Sequence, residues 1–497
     1  MPHASHRNGT MSCKKIQGGA CIAIWLAMAV LAIFSFGSCQ KEPLHAKRKL
    51  ILLHTGRLLG NVYPTSLKGV APLQYYPFIS AYVKQVRKEA AESGAEVLLL
   101  DSGDSLQGSF ATAITGGKNM VTFFNAMRYD AVFLGNLDAC LAPQSLQDLK
   151  ATILCPFLDK DNAPAFPGSR VVHSLQKGSL QILLAANFHG ETSPASFPMH
   201  FPAHYNHDIR YPVHPARDYR PFLQPFQQSV FDYRIMNWFK FESYEQCPPF
   251  VSKIAALGFD LITAHRIYSS KNTDAWAAKN YDGWPVPVSQ NIRRNNAGYT
   301  VARMDVERKS NGELVVTSRS IVEMSRNSID PDDEIEKQIE VFAEQIRGAN
   351  RTVAELPRPV SEKEILTLCL AFLSDCSPGS VPIYSAESIR SQWLDGSLTT
   401  AAVYESMPWE SPVVRVELTS DKIKELAADA SLAIPANFSP NASSVVTSSY
   451  LAALIKNRFS LPDSALFIVR EEGEFRAFLA WLSANPQSLS AFRNGAQ

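Results

Sequence analysis

Three apolar runs in this chain end in polar residues able to gather around one ligand. The first runs from Lys49 through His54 and Thr55 to Arg57, the second from Val97 through Asp101 and Gly103 to Asp104, and the third from Asp130 through Gly135 and Asn136 to Asp138. Consecutive branched apolar residues describe a strand buried on both faces, and the glycine that follows lets the chain turn with a carboxylate at its tip. In open α/β sheets, binding sites lie at such strand ends. The three strands therefore deliver polar loops to one place.

The segments between them must hold the strands in position. Tyr76 to Ser93 reads as a helix, with Phe78, Ile79, Tyr82 and Val86 at three-to-four spacing, and Met120 to Met127 as another. The order is then β-α-β-α-β, with the sheet layered between helices. Two more strands are expected at Leu180–Ala186 and Leu261–Ala264. Phe197 to Tyr233 is rich in Pro, Tyr, Phe and His and reads as an ordered insert loop or lid. Its His200, His204, His207 and His214 have no periodicity that would bring them to one metal, so they read as surface histidines. From Asp330 the signals are those of a single helix: Asp330 as N-cap, Pro331 at the first position, an apolar stripe of Ile335, Ile339, Phe342 and Ile346, and Gly348 past the end. Beyond it, helix Glu362–Ser374, a strand near Val381–Tyr384, strand Val413–Leu418 and helix Ser420–Ala428 make a second α/β unit. The expected division is a domain over 47–329, a connecting helix over 330–350 and a second domain over 351–497.

A chain of 497 residues is too long for one core. Its 48 basic and 47 acidic residues give a net charge of +1, which argues against a nucleic-acid polymer as partner. The eight cysteines form no CxxC pair, against a structural zinc site, and no G-x-S-x-G supports Ser-His-Asp catalysis. Cys369 and Cys376 are seven residues apart on or just past one helix, and a disulfide between them stays open if the protein is exported. At the N-terminus Arg7, Lys14 and Lys15 precede an uncharged stretch from Ala20 to Phe36, and then Gly37-Ser38-Cys39. This reads as a targeting segment over 1–39 that resembles a bacterial lipobox. The expectation is cleavage before Cys39 and lipidation of its sulfur, giving a lipoprotein held by its anchor at the periplasmic or outer surface of a membrane; a plain cleaved signal and an uncleaved anchor are the alternatives.

In order and spacing over residues 49 to 480, these stretches resemble the 5'-nucleotidase family, a calcineurin-like metallophosphoesterase domain followed by a nucleotide-binding domain. His54-Thr55 lies against that family's H-T-N-D-x-H-G, Gly103-Asp104 with Gln107 against its G-D-x-x-Q-G, and Gly135-Asn136 against its G-N-H-E-F-D. The resemblance implies an α/β fold: a layered metallophosphoesterase-type β-sandwich flanked by helices, followed by a second α/β domain. It also implies two divalent ions (Zn, Mn, Mg or Ca) about 3.5–4 Å apart that generate hydroxide for attack on a phosphate. Such ions need carboxylates and imidazoles in quantity. Here the first motif's Asp and His are Arg57 and Leu59, the catalytic His is Leu137, the Asp that orients it is Cys140, and no G-H-T-H pair follows Ser269. Of the implied metal ligands, Asp104 and Asn136 remain, with His265 after a two-residue shift. We therefore expect no cofactor, and Arg57, permanently charged, paired with Asp104 in place of the metal charge. In the plainer alternative Arg57 points to solvent and Asp104 caps its turn.

In the second domain, Ile389-Arg390, Gly396 with Leu398-Thr399, Tyr404 and Met407-Pro408-Trp409 resemble the family's G-G-I-R, G-x-I-T and P-F-G-N run. The resemblance implies Arg390 on a phosphate, and Trp409 and Tyr450 sandwiching the base of a nucleotide or nucleoside. Ser411 stands for the family's Asn, and Leu454-Ile455-Lys456 for its G-G-D; Trp409 and Tyr450 can equally be core aromatics. The leading expectation is an inactive homologue of a metal-dependent 5'-nucleotidase, acting as a non-catalytic binding or structural lipoprotein. The alternatives are a 5'-nucleotidase or phosphodiesterase that hydrolyses nucleotides outside the cytoplasm with one metal on Asp104, Asn136 and His265, and a nucleotide-binding module without turnover.

Overall fold

The computed structural model describes residues 48–60, 75–106, 108–135, 138, 146–159, 161–188, 214–215, 218–239, 247–266, 288–292, 300–324, 329–386, 388–408 and 411–490. Cys39 and the segment before it, Gln107, Asn136, Leu137, Cys140, His200, His204, His207 and Trp409 lie outside these residues, as does the side chain of His265.

The described residues within 48–308 and 314–490 cluster into one body, and Lys309–Glu313 is a tight turn closed by the Lys309 N–H on the Glu313 carbonyl at 2.9 Å. The strands of the first domain are β1 (Arg48–Thr55), β2 (Glu96–Asp101), β3 (Ala131–Phe133), β4 (Thr152–Leu154), β5 (Phe157–Leu158), β6 (Val172–Lys177), β7 (Leu180–Phe188), β8 (His214–Pro215), β9 (Tyr233–Phe239), β10 (Leu261–Arg266), β11 (Val288–Ile292), β12 (Thr300–Arg308) and β13 (Leu314–Glu323). They form a six-stranded sheet in the order β13-β12-β1-β2-β3-β4, a five-stranded sheet in the order β11-β10-β9-β7-β6, and a ribbon of β5 with β8. Strands β1 to β4 are mutually parallel, as are β7, β9, β10 and β11.

Alternation along these strands builds three apolar layers. Leu50, Leu52, Leu98 and Leu100 meet Ile182, Leu184, Ile235 and Leu261 between the sheets. The intervening residues Ile51, Leu53, Val97 and Leu99 face the helices Tyr75–Ser93 and Lys118–Met127 through Ile79, Val83, Val86 and Phe123. On the other side, Leu183, Met236 and Ile262 are covered by Val251, Ile254 and Phe259. Both faces of the central strands are dry, which is why they read as unbroken apolar runs. The expected insert loop contains, where described, β8, a short helix Arg220–Leu223 and a 3-10 turn Gln224–Phe226.

The connector is two helices, Asp333–Glu340 and Ala343–Ala349, where a single one was expected. Its first helix is capped by Asp332, whose carboxylate accepts the Glu334 N–H at 3.3 Å and is held by Ser80 and by Lys84. Asp330 is not the cap, and Gly348 falls inside the second helix. The turn at Val341 and Phe342 has a packing cause: Ile335 is buried in the first domain's core and Ile346 in the second's. One straight stripe could not serve both.

In the second domain a four-stranded sheet runs in the order Val381–Pro382, Ser444–Ser448, Val413–Glu417, Leu466–Arg470. The strand expected near Val381–Tyr384 is two short ones, Val381–Pro382 and Tyr384–Ser385. Helix Glu362–Cys376 starts from a capping box of Ser361 and Glu364 and packs Ile365, Leu368, Phe372 and Leu373 against Trp393, Tyr404 and Phe478. Cys369 and Cys376 are both free thiols. Seven residues at ~1.5 Å rise put their Cα atoms ~10 Å apart along one helix, beyond the ~7 Å a disulfide can span. The domains share an anchor: Phe110 and Ala111, on helix Phe110–Thr115, are buried in the second domain's core, and the Phe110 N–H donates to the buried Glu405 carboxylate at 3.0 Å.

Candidate functional site

Strands β1, β2 and β3 end side by side, with Thr55 opposite Asp101 and Asp101 opposite Val132. Beyond them the first two loops are zipped together by backbone bonds. The Ser102 N–H donates to the Thr55 carbonyl at 2.8 Å, Arg57 N–H to Gly103 at 2.7 Å, Leu59 N–H to Asp104 at 3.1 Å and Gly60 N–H to Ser105 at 2.9 Å. Arg57, Leu59 and Asp104 all adopt left-handed backbone, with φ of 53°, 54° and 54°. For non-glycine residues that conformation costs about 1–2 kcal/mol each and persists only where the surroundings enforce it.

Two buried carboxylates do the enforcing. Asp101 is inaccessible and accepts from Thr55 Oγ1 at 2.7 Å, Ser105 Oγ at 2.8 Å and the Gly103 N–H at 3.0 Å. Burial pushes its carboxyl up to about 7, against the pull of the Thr55 and Ser105 hydroxyls and with the Asp138 charge adding to the rise. Asp138, equally inaccessible, accepts the Leu106 N–H at 2.8 Å on Oδ1, and the Gly135 and Ser105 N–H groups at 3.0 and 3.4 Å on Oδ2. Burial raises it to about 6, opposed by those same backbone donors. It ties the ends of β2 and β3 together. Asp138, which closes the third polar loop in the sequence, thus serves as a structural acid rather than as an open ligand.

A second polar chain crosses between the sheets. His54 Nδ1 lies 3.0 Å from Ser102 Oγ; the Ser102 carbonyl accepts from Asn237 Nδ2 at 3.5 Å, and Asn237 Oδ1 accepts from Thr263 Oγ1 at 2.8 Å. All four residues are buried. Polar groups in a dry layer persist when they satisfy one another, and these close the end of the inter-sheet core. Asn237 and Thr263 carry no local motif, so only the fold reveals them.

Among the described residues, the donors around these strand ends are already engaged by the protein or are of the wrong type for two dications. Both oxygens of Asp101 and of Asp138 are taken by protein donors, His54 Nδ1 is engaged by Ser102, and the first-motif ligand positions hold a cation, Arg57, and a buried hydrocarbon, Leu59. Among the described residues, no group of three or more His, Cys, Asp or Glu is placed to hold a metal ion. Asp104 is buried and Arg57 half-buried, in loops joined residue by residue. His265 sits in β10, its backbone opposite Phe239 of β9 and Asn291 of β11.

In the second domain the Arg390 N–H donates to the Ser406 carbonyl at 2.9 Å, and the Ser449 N–H to the Pro412 carbonyl at 2.8 Å. These bonds tie Arg390 to Ser406 and the neighbour of Tyr450 to Pro412. Tyr450 is 57% exposed at the start of helix Ser449–Arg458, while the domain's buried aromatics are residues such as Trp393 and Tyr404.

No protein-family model matches the chain. An uncharacterized metallophosphoesterase of Bacillus subtilis, YunD, is 30% identical over 142 residues, which cover 27% of this chain and 28% of that protein, so the match spans little more than a quarter of its length. Among solved structures, the 5'-nucleotidase precursor of Thermus thermophilus is 14% identical with a TM-score of 0.62, covering 88% of this chain and 96% of its own. A putative 5'-nucleotidase from Staphylococcus aureus is 14% identical with a TM-score of 0.64 over 88% and 97%, and the 5'-nucleotidase of Candida albicans is 12% identical with 0.62 over 88% and 98%. At such identities the likeness is one of architecture: this chain has the two-domain fold of the calcineurin-like metallophosphoesterases and 5'-nucleotidases.

Proposed function

We propose that this protein uses a phosphoesterase scaffold without its dinuclear metal chemistry, as an exported, lipid-anchored binding or structural protein. The observation that carries this reading is the occupancy of the strand ends. Where a dinuclear centre would need a carboxylate and an imidazole, the chain has Arg57 and buried Leu59, and the neighbouring carboxylates Asp101 and Asp138 are spent on the protein's own donors. A dication placed there would meet a guanidinium. Arg57 supplies instead the positive charge that a buried Asp104 needs, since an uncompensated buried carboxylate is costly. Arg390, Trp409 and Tyr450 are the residues through which the second domain would hold a nucleotide or nucleoside.

The test is metal content and metal-dependent stability of the purified full chain, beside an Arg57→Asp, Leu59→His, Leu137→His variant. A ligand that binds only the folded state at a hundred times its Kd stabilises by about 2.7 kcal/mol. The native chain should carry no stoichiometric Zn, Mn, Mg or Ca and should show no rise in Tm with any of them. Bound metal would overturn the proposal in favour of a single-metal hydrolase built on Asp104, Asn136 and His265, to be assayed with nucleotides.

A further inference from the structure

At the N-terminal ends of β3 and β4, away from the loops that follow these strands, lies a second concavity of about 320 Å³. That is at the lower end of the range for small-ligand sites, about 300–1,000 Å³. Four cations from four separate elements line it: Arg87 on helix Tyr75–Ser93, Arg128 just past helix Lys118–Met127, Lys150 before β4, and Lys177 at the end of β6. One carboxylate, Asp130, shares the site, and it is already committed. Its Oδ1 takes Lys177 Nζ at 2.6 Å and its Oδ2 the Leu99 N–H at 2.9 Å.

Among the described residues Arg87 forms no ion pair; its guanidinium donates to the Arg128 carbonyl at 3.1 Å. Burial pulls it below its ordinary value, with Asp130 opposing the fall and Arg128 adding to it. Arg128 and Lys150 form no ion pair among the described residues.

A structural account of this charge falls short. Four cations less one carboxylate leave +3, and the C-terminal end of helix Lys118–Met127 offsets only about half a charge. Roughly +2.5 remains around one small concavity, where like charges repel unless a counterion joins them. A phosphate group brings about −1.5 to −2 at pH 7 and several acceptor oxygens, and two guanidinium forks with the exposed Lys150 ammonium and the Asp130-held Lys177 form a donor set that suits it. We propose that Arg87, Arg128, Lys150 and Lys177 form a binding site for a phosphate monoester group, separate from the strand-end site.

The experiment is calorimetric titration of the full chain with inorganic phosphate at constant ionic strength in chloride, paired with sedimentation on phosphatidylcholine vesicles with and without phosphatidic acid. Arg128→Gly with Lys150→Glu is the test variant: both residues are exposed, and Arg128 has φ 55°, which glycine adopts freely. Lys424→Glu, an exposed lysine of the second domain, is the control. Saturable phosphate binding that weakens roughly tenfold or more in the double variant and not in the control is expected. Additional binding to phosphatidic acid vesicles, lost in the same variant, would identify a lipid headgroup as the source; phosphate binding without vesicle binding would identify a soluble phosphorylated ligand. No saturable binding by a double variant and wild type of equal Tm, or equal affinity in both, overturns the proposal.

Discussion

Replacing Asp101 by Asn should remove a large pH dependence from the stability of this fold. Burial raises the Asp101 carboxyl from 3.8 to about 7 in the folded state. Between those values the folded chain keeps a proton that the unfolded chain has released, so the folded state binds more protons and stability falls as pH rises. The contribution is fully present below the unfolded pKa and is lost through pH 7. Roughly 3 pH units at about 1.4 kcal/mol each make this about 4 kcal/mol between pH 4 and 8.

Asparagine mimics the protonated acid: it can still accept the Gly103 N–H, while Thr55 and Ser105 turn their hydroxyls to accept from its amide. Tyr129, 2.8 Å from Thr55 Oγ1, can complete that rearrangement. The assay is urea unfolding of both proteins from pH 5 to 8, reading the difference in unfolding free energy. This difference cancels titrating groups that do not act on Asp101, such as His173, which burial pulls downward and whose effect has the opposite sign, while Asp138, which raises Asp101, is coupled to it and is not cancelled. The variant should gain on the wild type with rising pH until about pH 7 and then level. Parallel profiles, or a wild type that gains on the variant, would refute the reasoning by showing that Asp101 is a stabilised anion.

Glu405→Ala leaves the Phe110 N–H buried without its acceptor and should cost about 1–3 kcal/mol, whereas Glu405→Gln, which retains an acceptor oxygen, should cost clearly less; chemical denaturation of the three proteins reads this. Of Cys155, Cys369 and Cys376, thiol labelling of the native protein with mass mapping should find Cys376 modified first and the other two only on unfolding, because burial pushes the Cys155 thiol up to about 11 and Cys369 well above its ordinary value. Arg57→Gly separates the two readings of the strand-end cation by the sign of its effect on Tm. If Arg57 faces solvent, glycine relieves about 1 kcal/mol of left-handed backbone and raises Tm; if it neutralises Asp104, the buried anion left uncompensated outweighs that gain and Tm falls.

Much of the frame was legible because its signals are local. The run Val97 to Leu100 could only be a strand dry on both faces, and its helix neighbours carried their own three-to-four stripes. What escaped depended on partners distant in the chain. Nothing near Ile335 and Ile346 says that they belong to different cores, so the connector read as one helix. The pairing of Cys369 with Cys376 stayed open because the expected helix stopped at Ser374; two more helical residues place both thiols on one rod and exclude it. Asp138 and Asn237 work through backbone groups on other loops, which periodicity does not report. Arg57 and Leu59 were the opposite case, since a motif resemblance read residue by residue shows directly where the chain departs from it.

The strain at the strand ends bears on how these loops keep their shape. Three left-handed non-glycine residues store roughly 3–6 kcal/mol. In a metal centre, bound ions can hold loops in such shapes. Here four inter-loop backbone bonds, the three donors on Asp101 and the backbone donors on Asp138 hold them, and at about 1 kcal/mol per bond these suffice to balance the strain. The frame therefore stands on structural acids. It follows that side chains exchanged at positions 57 and 59 would meet loops that the protein's own donors already hold.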